Sequence, residues 1–380
     1  MSGHGWFAFV LSVGIAGVAA VGSCSADVVV GPKPQAVEDR FLAEVPGVRV
    51  TSWVEGLEAP WSLVFLPDGR ALVSERPGRI RVIEGGRLRA EPMAVLEVAQ
   101  GGEGGLMGLA LHPRFPAEPY LYAMHTHRDA RGTTNRVVRL KLESNAARFD
   151  RVIISGIPGA RNHNGGRIGF GPDGMLYVGT GETFEAELAQ DRDSLGGKLL
   201  RVTPEGGVPA DNPTPGSLIF TSGHRNIQGL AWHPETSHLF ASEHGPSGEF
   251  GLRAFDEINV IAAGGNYGWP RVVGAPGVSP YADPLVAWPD LTTPPGGMAF
   301  WRGDLFVATL RSQALVRIGI ERTPGGWRVG AIERWFVDRS QGGRFGRLRD
   351  AVVGPDGALY VLTSNRDGRG RPRPEDDRIL

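Results

Sequence analysis

Residues 170–179 read Phe170-Gly171-Pro172-Asp173-Gly174-Met175-Leu176-Tyr177-Val178-Gly179. An apolar strand end runs into a Pro-Asp-Gly corner, and a strand of small and aromatic residues leaves it. Pro presets φ at the first corner, Asp bonds back to the backbone, and Gly takes the positive φ. The phrase recurs along the chain. It returns as Val64-Phe65-Leu66-Pro67-Asp68-Gly69 ahead of Ala71-Leu72-Val73, and as Leu111-His112-Pro113 ahead of Tyr120-Leu121-Tyr122. It returns again as Trp232-His233-Pro234 ahead of His238-Leu239-Phe240, and as Phe300-Trp301-Arg302-Gly303 ahead of Asp304-Leu305-Phe306. The last copy is Val353-Gly354-Pro355-Asp356-Gly357 ahead of Ala358-Leu359-Tyr360.

Copies spaced about 45–70 residues apart imply a propeller, in which each sheet buries its faces against its neighbours. Six copies predict an all-β, six-bladed β-propeller with four-stranded antiparallel blades over residues 48–380. The final Arg378-Ile379-Leu380 reads as the strand that closes the ring. A β-sandwich would need six aligned hairpins by coincidence. Helical periodicity is nearly absent, with room for one short helix in 184–200.

Composition agrees with this reading. The 380 residues include 56 Gly and 29 Pro, which spread evenly mean many tight turns rather than disorder. The 40 basic and 41 acidic residues leave a net charge of −1, and no basic run marks a nucleic-acid surface. The single cysteine, Cys24, excludes an intrachain disulfide. Residues 6–22 are apolar and uncharged and lead into Ser23-Cys24. That pattern reads as a secretion signal over 1–24 of the bacterial lipoprotein type, although no Lys or Arg precedes it. Plain cleavage, a buried N-terminal helix and a membrane anchor are the other readings of the same residues. Export to the periplasm or the extracellular face follows, with a lipid on Cys24 as the expected membrane contact. Residues 25–47 read as a flexible, Pro-containing tether.

Three groups could carry chemistry. Asn162-His163-Asn164-Gly165-Gly166-Arg167 puts a histidine in a turn, where a near-neutral imidazole can accept a hydroxyl proton or merely cap carbonyls. Glu243-His244-Gly245-Pro246 exposes carbonyls near carboxylates, a set suited to calcium, though a plain turn would look the same. Arg225, Arg311 and the alternating Arg347-Leu348-Arg349 could clamp a carboxylate or phosphate, or face solvent with Asp350 as partner. No nucleophile elbow, P-loop or dinucleotide fingerprint is present.

Several phrases in series resemble the soluble glucose and aldose sugar dehydrogenases that use pyrroloquinoline quinone (PQQ). They are Glu103-Gly104-Gly105-Leu106-Met107-Gly108, Asn162 to Arg167, Gly223-His224-Arg225-Asn226-Ile227-Gln228-Gly229-Leu230 and Glu243-His244-Gly245-Pro246. Asp256-Glu257-Ile258-Asn259, Asn266-Tyr267-Gly268-Trp269-Pro270 and Arg347-Leu348-Arg349-Asp350 complete the series. The resemblance implies oxidation of an aldose at its anomeric carbon to a lactone, with electrons passed to a soluble acceptor. It implies His163 as general base with Glu182 behind it, and Glu103, Arg225, Asn226, Arg311, Arg347 and Arg349 around PQQ. It implies Ca²⁺ on the carbonyls of Gly245 and Pro246, and a second Ca²⁺ on Glu257 and the Tyr267 carbonyl. A monomer or homodimer is expected. Four positions and one segment depart from the family pattern. Glu103 replaces a Gln, Glu182 and Asn162 each replace an Asp, Arg311 replaces a Lys, and the segment between Pro246 and Asp256 is longer. A non-enzymatic binding propeller and a calcium lactonase are the other readings.

Overall fold

In a computed structural model, residues 1–2, 28–130, 132–340 and 342–380 are described. Residues 3–27, with the expected secretion signal and Cys24, lie outside them. The Pro-Asp-Gly corners do what their chemistry dictates. Gly69, Gly174 and Gly357 take φ of 88°, 74° and 76°. Asp68, Asp173 and Asp356 each accept the backbone N–H two residues on, at 3.0, 3.1 and 3.1 Å.

Each corner joins the first two strands of an antiparallel sheet. The first sheet holds Pro60–Phe65, Ala71–Glu75, Arg79–Glu84 and Arg87–Leu88, with Ala94–Val95 added on Arg79–Glu84. The second holds Leu106–Leu111, Tyr120–Asp129, Gly132–Leu142 and Ala147–Pro158. The third holds Ile168–Phe170, Leu176–Gly179, Leu199–Val202 and Ile219–Thr221. The fourth holds Ile227–Trp232, Leu239–Glu243, Asp256–Val260 and Val286–Trp288. The fifth holds Pro295–Trp301, Asp304–Thr309, Leu315–Thr323 and Gly326–Trp335. The apolar faces are buried between neighbours. Tyr122, Met124 and Val137 of the second sheet share one core with Ile168, Val178 and Leu200 of the third.

The expectation of six four-stranded blades is corrected: the propeller has five blades. The sixth copy of the repeat forms only the two-stranded hairpin Leu348–Val353 with Leu359–Thr363. Past Thr363 the chain enters a loop, and single-residue bridges Leu362↔Ile379 and Val54↔Ile379 stand where further strands would pair. The repeated phrase encodes a hairpin, and a hairpin does not oblige two more strands to follow. The ring nevertheless closes on the chain's last residues. Leu348–Val353 packs against both Pro295–Trp301 and Pro60–Phe65, and Val361 and Leu380 exchange backbone hydrogen bonds at 3.0 and 2.8 Å.

Residues 28–42 are docked along the ring, where a flexible tether is expected. Val29–Val30 pairs parallel to Val272–Val273, and Asp39–Leu42 adds a fifth, parallel strand to the edge of the fifth sheet. Gln35 is buried and its amide brackets the Ala287 backbone at 3.1 and 3.4 Å. An extended Pro-containing edge strand has the same composition as a tether, so the sequence does not separate them. The 184–200 stretch supplies one 3₁₀ turn, Ala186–Ala189. Among the described residues no helix is long and apolar enough to cross a membrane.

Candidate active site

In an antiparallel sheet the start of the first strand and the end of the second lie at the same end. His163 precedes Ile168–Phe170, Arg225 precedes Ile227–Trp232 and Arg347 precedes Leu348–Val353. Glu182 follows Leu176–Gly179, and Gly245 follows Leu239–Glu243. Residues spread over half the chain therefore meet at one end of the ring.

His163 stands at the centre. It is buried, at φ 54°, a left-handed conformation that costs a side-chain-bearing residue free energy and needs fixing from outside. Glu103 supplies part of that fixing, accepting the His163 N–H at 3.0 Å. Burial opposes ionisation of Glu103. The neighbouring His244 and Arg369, the latter at 2.8 Å, and the His163 N–H outweigh burial and hold its carboxyl below the usual carboxylate range. On the imidazole, Nδ1 lies 2.5 Å from Glu182 Oε1 and Nε2 lies 3.1 Å from Arg225 Nη2. A guanidinium can only donate, so Nε2 carries the lone pair and Nδ1–H donates to Glu182. The ring is a neutral base with its free nitrogen turned toward Arg225.

The arginines come together as expected, except Arg311. Arg225 is buried, donates to the His244 carbonyl at 3.2 Å and lies over Trp269 at 5.4 Å. Arg347 pairs with Asp367 at 2.7 Å, and Arg349 donates to Gln228 at 3.0 Å. Both are buried, so the solvent-facing reading fails, and Asp350 pairs with Arg167 instead. Burial lowers Arg349 to about 10. Arg311 sits at the same end, after Asp304–Thr309, but is exposed. Asn226 braces the site: its Oδ1 accepts Gly165 N–H at 2.9 Å and Gln228 Nε2 at 3.1 Å.

The four residues expected around calcium share the wall of one cavity of about 20 Å³, large enough for one water or ion. Gly245, Pro246, Glu257 and Tyr267 line it with Arg225, Glu243 and His244. Asp256 accepts the Gly245 N–H at 3.1 Å and fixes that turn. Glu243 and Glu257 are neighbouring buried carboxyls. Burial raises both, and each raised acid favours the protonated form; Glu243 reaches about 7. The native state therefore holds protons that the unfolded chain has released above the ordinary glutamate range, and stability falls as pH rises through 7. Burial acts the other way on His224, whose ring lies 2.9 Å from Glu243, and on His244: both are lowered to about 3, so their neutral forms add stability as pH rises toward the ordinary histidine range. The carboxyl pair is therefore read above that range. In EDTA, the wild-type melting temperature is expected to fall between pH 7 and pH 8, and Glu257→Gln should fall less. Equal slopes in the two proteins would contradict the pairing.

The Glucose / Sorbosone dehydrogenase family profile matches residues 57–371. The chain belongs to this family. Its similarity to the aldose sugar dehydrogenase YliI of Escherichia coli is 32% identity, covering 84% of this chain and 91% of that protein. The solved PQQ-bound aldose sugar dehydrogenase of Streptomyces coelicolor is 39% identical with a TM-score of 0.78, covering 87% of this chain and 96% of that one. A solved Thermus thermophilus structure, described as a glucose dehydrogenase kind of oxidoreductase, is 56% identical, with a TM-score of 0.82 over 88% of this chain and 99% of that one. The chain is thus an oxidoreductase of the glucose/sorbosone dehydrogenase family.

The buried donors of this family member suit a polyanion. Arg76 Nε, Arg225 Nε, Arg349 Nε and Arg167 Nη2 are buried without a hydrogen-bond partner. Buried donors left unpaired cost free energy that a ligand with several carboxylates would recover. The cation side fits as well, with an ion-sized cavity and two buried carboxyls in its wall. Some participants carried no signal in the sequence. Arg369 reaches Glu103 and Asn162 from the far end of the chain, at 2.8 and 2.9 Å. Glu249 binds Arg225 at 2.6 Å from within the lengthened segment. Only that extra length could have drawn attention to it.

Proposed function

We propose that the chain is a PQQ- and calcium-dependent aldose dehydrogenase that oxidises the anomeric carbon to a lactone and passes electrons to a soluble acceptor. The observation that carries this reading is the neutral His163, with its lone pair at Nε2 among partly unsatisfied arginines. When bound, PQQ supplies a hydride acceptor and Ca²⁺ a Lewis acid beside it. His163 Nε2 takes the proton of the anomeric hydroxyl. Glu182 steadies the resulting imidazolium through Nδ1–H, and Glu103 fixes the loop that carries it. Arg225, Arg347 and Arg349 would hold the cofactor carboxylates, Asn226 braces their loop, and Arg311 lies at the rim. The carbonyls of Gly245 and Pro246 would hold Ca²⁺ from one wall of the ion-sized cavity; Glu257 and the Tyr267 carbonyl, expected from the sequence to hold a second ion, line that same cavity. Export by the 1–24 segment, with lipid on Cys24, puts this chemistry outside the cytoplasm.

The test is reconstitution of purified apoprotein with PQQ and Ca²⁺, followed by dye reduction with a panel of aldoses. Turnover that needs both additions is expected. No turnover and no quinone absorbance change on adding sugar would overturn the reading.

A further inference from the structure

The guanidinium expected to receive a ligand carboxylate already holds one. Glu249 Oε1 accepts from Arg225 Nη2 at 2.6 Å, the same nitrogen that donates to His163 Nε2 at 3.1 Å. One nitrogen of His163 and one oxygen each of Glu182 and Glu249 lie within 4.8 Å of one another, around that guanidinium. Glu249 thus sits in the carboxylate seat and draws the arginine across the lone pair of the base. The guanidinium is not saturated there. Arg225 Nε lies 4.0 Å from Glu182 Oε1, and it and Glu182 Oε2 are buried without a hydrogen bond. The guanidinium is parked in this position, with donors to spare.

The tip that delivers Glu249 is lightly anchored, with no buried residue in Glu249–Gly251. Gly248 takes φ of 141°, and Phe250, Ala254 and Phe255 take 54°, 71° and 56°. Three side-chain-bearing residues in left-handed conformations within six positions is a strained arrangement, kept only while something holds it. The two ends of the segment are fixed: Ser247 and Arg253 form a backbone bridge, Ala254 is buried, and the Phe255 N–H donates to the Trp288 carbonyl at 2.9 Å. The tip between them rests on two side-chain contacts. Glu249 Oε2 accepts the Ser247 N–H at 2.6 Å, and Phe250 packs edge-on against Trp269 at 5.7 Å while remaining half-exposed. The strap has little other anchorage at its tip, where Phe250 and its neighbours carry no buried side chain.

We infer that Glu249 is a built-in competitor for the cofactor's carboxylate at Arg225. Ligand binding then proceeds by exchange of one carboxylate for another, and the exchange uncovers His163 Nε2. This rests on the functional reading above and names a residue of this chain that sets the affinity of that site. The strap's extra length is what lets the carboxylate reach.

The test is a PQQ titration followed by protein fluorescence in calcium buffer, without sugar or dye. Wild type, Glu249→Gln and Glu249→Ala are compared, with thermal melts as the check on folding. Glu249→Gln keeps the shape and loses the charge. It should bind PQQ about tenfold more tightly than wild type, a change worth about 1.4 kcal/mol, with faster association. Glu249→Ala should bind at least as tightly as Glu249→Gln. Equal or weaker affinity in a folded variant overturns the inference and leaves the functional reading standing. Binding by none of the three proteins overturns the functional reading and the inference with it.

Discussion

His163→Ala is expected to lower kcat by about 10²–10⁴-fold, the usual worth of a positioned general base, while PQQ affinity stays nearly unchanged. The two readouts separate because His163 is tied to the site through its ring and loop, whereas carboxylate binding falls to the arginines. Its Nδ1–H donates to Glu182 at 2.5 Å, so the proton it gains at Nε2 is balanced by a buried carboxylate. Glu182→Gln keeps an acceptor for Nδ1–H and removes that balance. It should therefore cost less than His163→Ala, with the loss concentrated in kcat. Steady-state dye reduction alongside PQQ titration measures both. Turnover of His163→Ala within a factor of ten of wild type would remove His163 from the base role.

The sequence was legible where a local rule fixed a local shape. Asp68, Asp173 and Asp356 each make the same backbone hydrogen bond in the same corner, and the propeller follows from counting them. The blade number did not follow, because strand pairing beyond the hairpin depends on where the chain goes next. After Thr363 it goes into a loop organised by Asp377, which accepts Asn365 N–H at 2.5 Å and Ala59 N–H at 3.1 Å. The site was legible as a set of motifs near strand ends, since antiparallel geometry carries those ends to one place. What closes the site was not. Arg369 to Glu103 and Arg167 to Asp350 join residues far apart in the chain, and nothing in either residue's neighbourhood names the other. Arg311 shows the other side of this. A charge at the right end of a strand need not turn inward, and this one lies exposed beside the buried arginines.

The docked N-terminal strand carries the second large effect. Arg334 is fully buried, and its Nε donates to Asp39 at 2.5 Å and its Nη2 to Thr293 at 2.6 Å. Its Nη1 has no partner, so Asp39 is the carboxylate that directly neutralises it. Burial already depresses the pKa of Arg334 despite the opposing pull of Asp39. Asp39→Ala leaves a buried cation without its counter-charge, which costs about 3–5 kcal/mol. Chemical denaturation should show that loss as a lower midpoint at unchanged slope. The double variant Asp39→Ala with Arg334→Met removes both charges and should recover most of it, because an apolar pair of similar volume often replaces a buried ion pair without loss. A double variant as unstable as the single would mean that the strand's backbone pairing, rather than the charge, carries the stability. The effect also reaches the site through named bonds. Arg334 holds the Thr293 hydroxyl, the Thr293 N–H donates to Asp256 at 2.6 Å, and Asp256 holds Gly245 N–H at 3.1 Å. Asp39→Ala should therefore weaken calcium-dependent stabilisation as well as the fold. Calcium titration of the melting temperature would then show a shallower rise in the single variant than in wild type. A residue expected to lie in a loose tether thereby stands at one end of a continuous chain of contacts that reaches the Gly245 backbone in the cavity wall.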